Sequence, residues 1–249
     1  MRKEPLVTGE YYHVYNRGVD KRNIFSNKKD IERFLESMLE FNRIEVITSL
    51  ANARKTPQIA PKALSGDPIV SIVAYCLNPN HFHFILKQLK KGGIAKFMQK
   101  LQGGYTSYFN IKNSRTGSLL QGTFKSHLIK DENYFRKTFG YVNNNYEIHN
   151  ISKTKMHLVR ASNYEYKENN FKLVSRKEAL RMLEIFNGTK NLLQHCKEIA
   201  SIIREERRRI SHQIAPKALS GGIELLEHLQ CCRDLGQIDL KFSNHPYRK

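Results

Sequence analysis

Two histidines one residue apart, His81 and His83, stand in the run Leu77-Asn78-Pro79-Asn80-His81-Phe82-His83-Phe84-Ile85-Leu86. The Asn-Pro-Asn signal marks a turn, and the alternation after it predicts a strand. On a strand, His81, His83 and Ile85 leave one face, while Phe82, Phe84 and Leu86 take the other and can be buried. Two imidazoles on a rigid strand can chelate one divalent cation, a pairing that suits Mn, Zn, Fe or, less naturally, Mg. Taken alone, an H-x-H more often marks surface or packed histidines. A metal site needs a third ligand and a reaction to serve.

Both are offered further along. Tyr134, Tyr141 and Asn145 fall in a stretch predicted as helix, and Tyr141 and Asn145, four residues apart, share a face of it. The Asn145 amide oxygen is a candidate third ligand, and the Tyr141 phenol a candidate nucleophile. A phenol titrates near 10 and is a poor nucleophile at neutral pH. A nearby cation stabilises the phenolate and polarises the oxygens of a scissile phosphate. A nuclease using water would instead be expected to place carboxylates among its metal ligands. Acids are scarce here: Val70 to Gly140 holds eleven Lys/Arg against Asp131 and Glu132 alone. Attack by tyrosine on a phosphodiester leaves a covalent phosphotyrosine that conserves the bond energy, so the strand can be rejoined. Singly, Tyr141 reads as a half-buried packing residue and Asn145 as a helix C-terminal one; the conjunction gives them meaning.

The elements that must position these residues follow from periodicity. Tyr11 to Asn16 reads as a first strand ending at Arg17-Gly18. Asn27 to Phe41 reads as a helix, with Ile31, Phe34, Leu35, Met38 and Leu39 at i, i+3, i+4, i+7 and i+8. Val70 to Leu77 and His81 to Leu86 form a hairpin, and a helix follows from Ile94. Leu119 to Leu128 is expected to be strand, and a helix starts near Asp131, whose acid favours a helix N-terminus, and runs through Tyr141. The order predicts an α+β fold: a ferredoxin-like antiparallel sheet with helices on its face. Beyond Ser175 only helices are expected, Arg176 to Phe186 and Leu192 to Arg209, as a C-terminal appendage. The division is then a catalytic domain over 1–160, with an inserted loop at 45–68, and a helical region over 161–249. Gln58 to Gly66 recurs identically as Gln213 to Gly221, a repeated insert in two loops.

Composition agrees with a polyanionic partner. The 249 residues carry 42 Lys+Arg against 23 Asp+Glu, a net +19, which points to nucleic acid. No apolar run is long enough for a membrane span. The opening Met1-Arg2-Lys3-Glu4-Pro5 has no signal-peptide character, and four cysteines without a C-x-x-C pair imply neither zinc knuckle nor disulfide framework. A cytoplasmic, nucleoid-associated protein is expected.

Four separated motifs resemble those of the single-tyrosine HUH transposases. They are Tyr12-His13-Val14-Tyr15-Asn16-Arg17-Gly18, Ala74 to His83, Gly117 to Ser126, and Tyr141-Val142-Asn143-Asn144-Asn145, in that order across Tyr11 to Ile151. The nearest branch by these motifs is the REP-associated tyrosine transposases. The resemblance implies a metal-dependent enzyme that cleaves and rejoins single-stranded, hairpin-forming repeat DNA. It implies that His81 and His83 bind a divalent metal ion, Mg or Mn, that Tyr141 forms a 5′-phosphotyrosine, and that Asn145 completes the site. Three departures are present: Phe82 stands where a small aliphatic is usual, Asn145 is followed by Tyr146 where the family often has proline, and the segment from Glu45 to Asp67 reads as inserted. A replication initiator or relaxase of the same chemistry, and a non-catalytic nucleic-acid-binding regulator on the same fold, are the rival readings.

For DNA contacts the candidates are Arg17, Lys21, Arg22, Arg115, Gln121 and Lys125, in predicted loops or strand ends near the motifs. Tyr105 and Tyr108 could stack on bases, though at helical spacing such residues belong more often to a core. The cluster Arg204 to Arg209 reads equally as a phosphate contact and as a solvated helix face. Single-stranded or hairpin DNA is the expected partner, for a monomer or homodimer.

Overall fold

A computed structural model describes residues 5–43 and 67–214, the last four as helical backbone only. All but the end of the 45–68 segment, the repeated insert apart from Gln213 and Ile214, and Cys231 and Cys232 lie outside the described residues.

The chain forms β1 (Tyr11–Arg17), α1 (Lys28–Glu40), β2 (Val70–Asn78), β3 (His81–Gln88), α2 (Gly93–Lys112) and β4 (Lys125–Leu128). It continues with α3 (Glu132–Asn143), α4 (Asn145–Ile148), β5 (Arg160–Ala161), α5 (Asn163–Glu168), α6 (Arg176–Ile185) and α7 (Thr189–Ile214). The strands form one antiparallel sheet in the order β4-β1-β3-β2-β5. With its βαββαβ beginning, this is the expected ferredoxin-like α+β layout, extended at one edge by the two-residue β5.

Alternation along β3 sorts the layers. Phe82 and Phe84 are fully buried, and the Phe82 ring packs 5.5 Å from Phe34 of α1. Tyr105 of α2 closes the same cluster against Phe25 and Phe34. Its hydroxyl donates to the Ile24 carbonyl at 2.6 Å, and that of Tyr108 donates to Asp30. Both tyrosines are therefore parts of the core and its polar braces. On the opposite face, His83 meets Tyr141 of α3, and α7 packs outside α3 as a further layer.

Local chemistry fixes the ends of these elements. Asn27 caps α1 by accepting from the Asp30 amide at 3.1 Å, and the Asp30 carboxylate reaches back to the Ser26 amide at 2.9 Å. Asp131 caps α3 through the Tyr134 amide at 2.8 Å. The turn before His81 is braced from outside: the Pro79 carbonyl accepts from the amides of Ile24 and Phe25, at 2.7 and 3.0 Å, and Asn80 O from Gly18 N at 2.8 Å. Gly18 is required there, because a Cβ on it would stand 2.3 Å from the Arg22 carbonyl oxygen.

Three sequence expectations are corrected. Strand begins only at Lys125, not Leu119: Gly122 takes φ +63°, and Leu120 makes an isolated bridge to Gly18. The tyrosine helix does not run on to Asn145. It stops at Asn144 (φ −113°, ψ 26°), where asparagine side chains compete with the backbone: Asn143 Nδ2 donates to Phe139 O, and Asn144 Nδ2 to Glu147. Leu39, placed on the buried stripe of α1 by its spacing, is exposed.

Candidate active site

The register of β1 against β3 builds the floor of a cleft. Arg17 pairs with His81, Tyr15 with His83 and His13 with Ile85, so period-two alternation turns His13, Tyr15, Arg17, His81 and His83 to one face. The Tyr15 ring stacks on His83 at 5.4 Å and on His127 of β4 at 5.9 Å. Over this floor comes α3, with Tyr141 buried and edge-on to His83 (centroids 5.3 Å, 89°) and His13 (5.8 Å, 79°). The cleft above, about 280 Å³, is lined by His81, His83 and Tyr141 together with Arg17, Lys21 and Arg207. No carboxylate is among its lining residues.

On each histidine Nδ1 is held by a neighbouring side chain. His81 Nδ1 lies 2.6 Å from Asn80 Oδ1. That oxygen can only accept, so Nδ1 carries the proton and Nε2 presents its lone pair. His83 Nδ1 meets His13 Nε2 at 2.9 Å, which leaves His83 Nε2 open. Fixing one nitrogen so that the other faces a ligand is how metal-binding histidines are held. Burial keeps both rings neutral. His81 is pushed down to about 4, chiefly by desolvation against the opposing effect of Asn145, with the charges of Arg17 and Arg207 adding to the shift. His83 lies well below the ordinary range, by desolvation first and then by His13 and His81.

Asn145 reaches the same point from the first turn of α4. Its Oδ1 is 2.9 Å from His81 Nε2. Asn78 Nδ2 donates to this oxygen at 2.7 Å and faces His81 Nε2 at 2.9 Å. The 2.9 Å separation of Asn145 Oδ1 from His81 Nε2 matches neighbouring ligands on one ion, about 3 Å apart for bonds of about 2.1 Å at right angles. Asn145 Nδ2 is buried without a partner, so the amide has been turned to present its oxygen. Among the described residues no group of three His, Cys, Asp or Glu could hold a metal ion. Two imidazole nitrogens and an amide oxygen are the donors the cleft offers, a set whose chemistry suits a divalent cation.

Of the other candidates, Arg17 and Lys21 line the cleft. Arg22 and Arg115 are directed elsewhere. Arg22 Nε donates to Val19 O at 3.2 Å, while Arg115 donates to Asn110 Oδ1 at 2.7 Å and Ser118 O at 3.2 Å, closing the loop after α2. Gln121 is exposed, its backbone N–H donating to Arg17 O at 2.9 Å, and Lys125 is exposed at the start of the edge strand, across from Tyr15.

Four residues of the site were not singled out individually from sequence, Arg207 being read only within the Arg204 to Arg209 cluster. His13 and Asn78 were within reach of the strand alternation. His149, whose ring lies 4.6 Å from His81, follows Asn145 by one helical turn. Arg207 comes from α7, and no local pattern places it here. Among the described residues no helix is long and apolar enough to cross a membrane.

Residues 42–147 match the family described as IS200-like transposase. No curated protein matches the chain. Among solved structures, the chain is similar to a REP-associated tyrosine transposase bound to a REP hairpin, with 13% identity, a TM-score of 0.45, and coverage of 70% of this chain and 89% of that one. His81, His83, Tyr141 and Asn145 all fall inside this match, which covers less than half of the chain.

Proposed function

We propose that the protein is a metal-dependent transposase that cleaves and rejoins single-stranded, hairpin-forming repeat DNA through a 5′-phosphotyrosine on Tyr141. One observation carries this reading: a single cleft holds Tyr141, two histidines with lone pairs turned inward, and three cations with no carboxylate. Such a cleft attracts a phosphodiester and offers it a phenol. The branch, REP-associated, rests on the four motifs, and residues 1–160 are proposed as the catalytic domain.

In the first step Tyr141 Oη bonds to phosphorus and the P–O3′ bond breaks. The product is a tyrosine O-phosphodiester to the 5′ end and a free 3′-OH, the phenol's proton passing to the departing oxygen through water. In the second step a 3′-OH attacks the phosphotyrosine, restores a phosphodiester and frees the phenol. His81, His83 and Asn145 would hold a divalent ion, Mg or Mn, whose chemistry when bound is to neutralise phosphate charge and favour the phenolate. His13 orients His83, Asn80 and Asn78 orient His81, and Asn78 also holds Asn145. Arg17 and Lys21, which line the cleft, would meet the strand backbone.

The test is a 3′-end-labelled single-stranded hairpin pool with randomised flanks, incubated with protein and Mn or Mg and resolved under denaturing conditions. A labelled covalent adduct is expected from the wild type and none from Tyr141→Phe, with DNA binding kept by both. Equal adduct from the two proteins refutes the assignment, and binding without an adduct in either favours a non-catalytic regulator.

A further inference from the structure

The arginine cluster near the end of α7 is not an ordinary solvated face throughout. On this helix Cys196, Ala200 and Ile203 are buried, at spacings of four and three. Arg207, four residues on, continues that stripe. It is where the stripe leaves the packed surface of α3 and enters the cleft beside Tyr141 and His81. Its charge acts on His81, His83 and His149 together. By contrast, Arg208 and Arg209 are exposed, with Arg209 beside Glu206 at 4.0 Å.

The approach of α7 is built in. Gly140, the residue before the tyrosine, has no Cβ, and one added there would stand 2.8 Å from Ile199. His195 Nε2 donates to Arg136 O at 3.0 Å, one helical turn earlier on α3. The helix that carries the nucleophile and the helix that carries Arg207 are therefore fitted to one another along their length. Arg207 also lies well outside the family match, which ends at residue 147.

We propose that Arg207 is a catalytic phosphate-binding residue, supplied in cis by the C-terminal helix, whose guanidinium grips the oxygens of the phosphodiester held against Tyr141. This rests on the cleft being a phosphodiester site. Guanidinium suits the task, since its planar fork can take two phosphate oxygens at once and stays charged. Three cations around one cleft also explain why no acid is needed to orient the strand.

Two measurements on the full-length protein separate this proposal from the reading beneath it. The first is binding of a fluorescent oligothymidylate 20-mer in EDTA across a salt series. For Arg207→Ala the slope of log affinity against log salt should shrink by about 0.7, one phosphate contact on a single strand, while Arg209→Ala leaves it unchanged. The second is the covalent-adduct assay. The adduct rate should fall about 100-fold or more in Arg207→Ala, partly recover in Arg207→Lys, and hold in Arg209→Ala. An unchanged slope overturns the phosphate contact, whether the adduct rate falls or not. A reduced slope in a protein whose wild type forms no adduct keeps the contact and sinks the transposase chemistry. An adduct in the wild type that Arg207→Ala neither slows nor weakens in binding sinks the contact and keeps the chemistry.

Discussion

Amides do the positioning at this site that carboxylates do in many metal sites. Asn80 sets the proton on His81, Asn78 bridges His81 and Asn145, and Asn145 turns its oxygen inward. An amide can orient a ligand without adding negative charge, and so leaves the cleft free to accept a phosphate. Asn78→Ala therefore removes both contacts of the amide nitrogen while leaving every proposed ligand in place. The Mn concentration for half-maximal adduct formation should rise about 10–100-fold, the usual effect of losing an orienting partner. Urea unfolding should show a loss of about 1–3 kcal/mol, since buried polar groups lose their partner. An unchanged Mn requirement would mean that Asn78 serves the fold alone. Of this residue set, the histidine pair, Tyr141 and Asn145 were legible in the sequence, because type and spacing on a single element reveal them. Asn78 and Asn80 were not, because an amide's role depends on which neighbour it faces.

At the scale of elements, the joint between α3 and α7 decides whether the site is complete. Gly140→Ala forces a methyl against Ile199, and overpacking of this kind costs about 1–3 kcal/mol. The urea midpoint should fall, and Ile199→Ala in the same protein should recover part of the loss, an interaction that a double-mutant cycle measures directly. The same joint is sensitive to acid. Burial holds His195 below its ordinary 6.5, against the opposing hydrogen bond to Arg136 O. A depressed histidine gives stability that is present above the unfolded value and lost as pH falls through the folded one, because the unfolded chain takes up the proton first. Urea midpoints should drop between pH 7.5 and pH 5, and His195→Gln should remove part of that slope. Strand and helix periods made most of these elements legible. What stayed hidden was short or conditional. Two-residue β5 has no period to detect, the break at Asn144 arises from competing asparagine hydrogen bonds, and the stretch from Leu119 to Phe124 looks extended but is bent at Gly122.

For the whole molecule, the family match covers the histidines and the tyrosine but neither wall that flanks them. The strand that supplies His13, Tyr15 and Arg17 precedes it, and the helix that supplies Arg207 follows it. Net charge and the ferredoxin-like order were legible because they are sums and sequences of local features. The meeting of residues 17, 81, 141 and 207 was not, since it depends on packing between distant segments. The place of β1, between β4 and β3 in the middle of the sheet, has a consequence in time. Chains emerge from the ribosome N-terminus first, at about 5–20 residues per second. This interior strand is thus made early and waits for its partner, His13 being 70 residues ahead of His83. A nascent chain holds its histidines and tyrosine before Arg207 exists, so the last wall of the cleft to be synthesised is the one that fits against the helix of Tyr141.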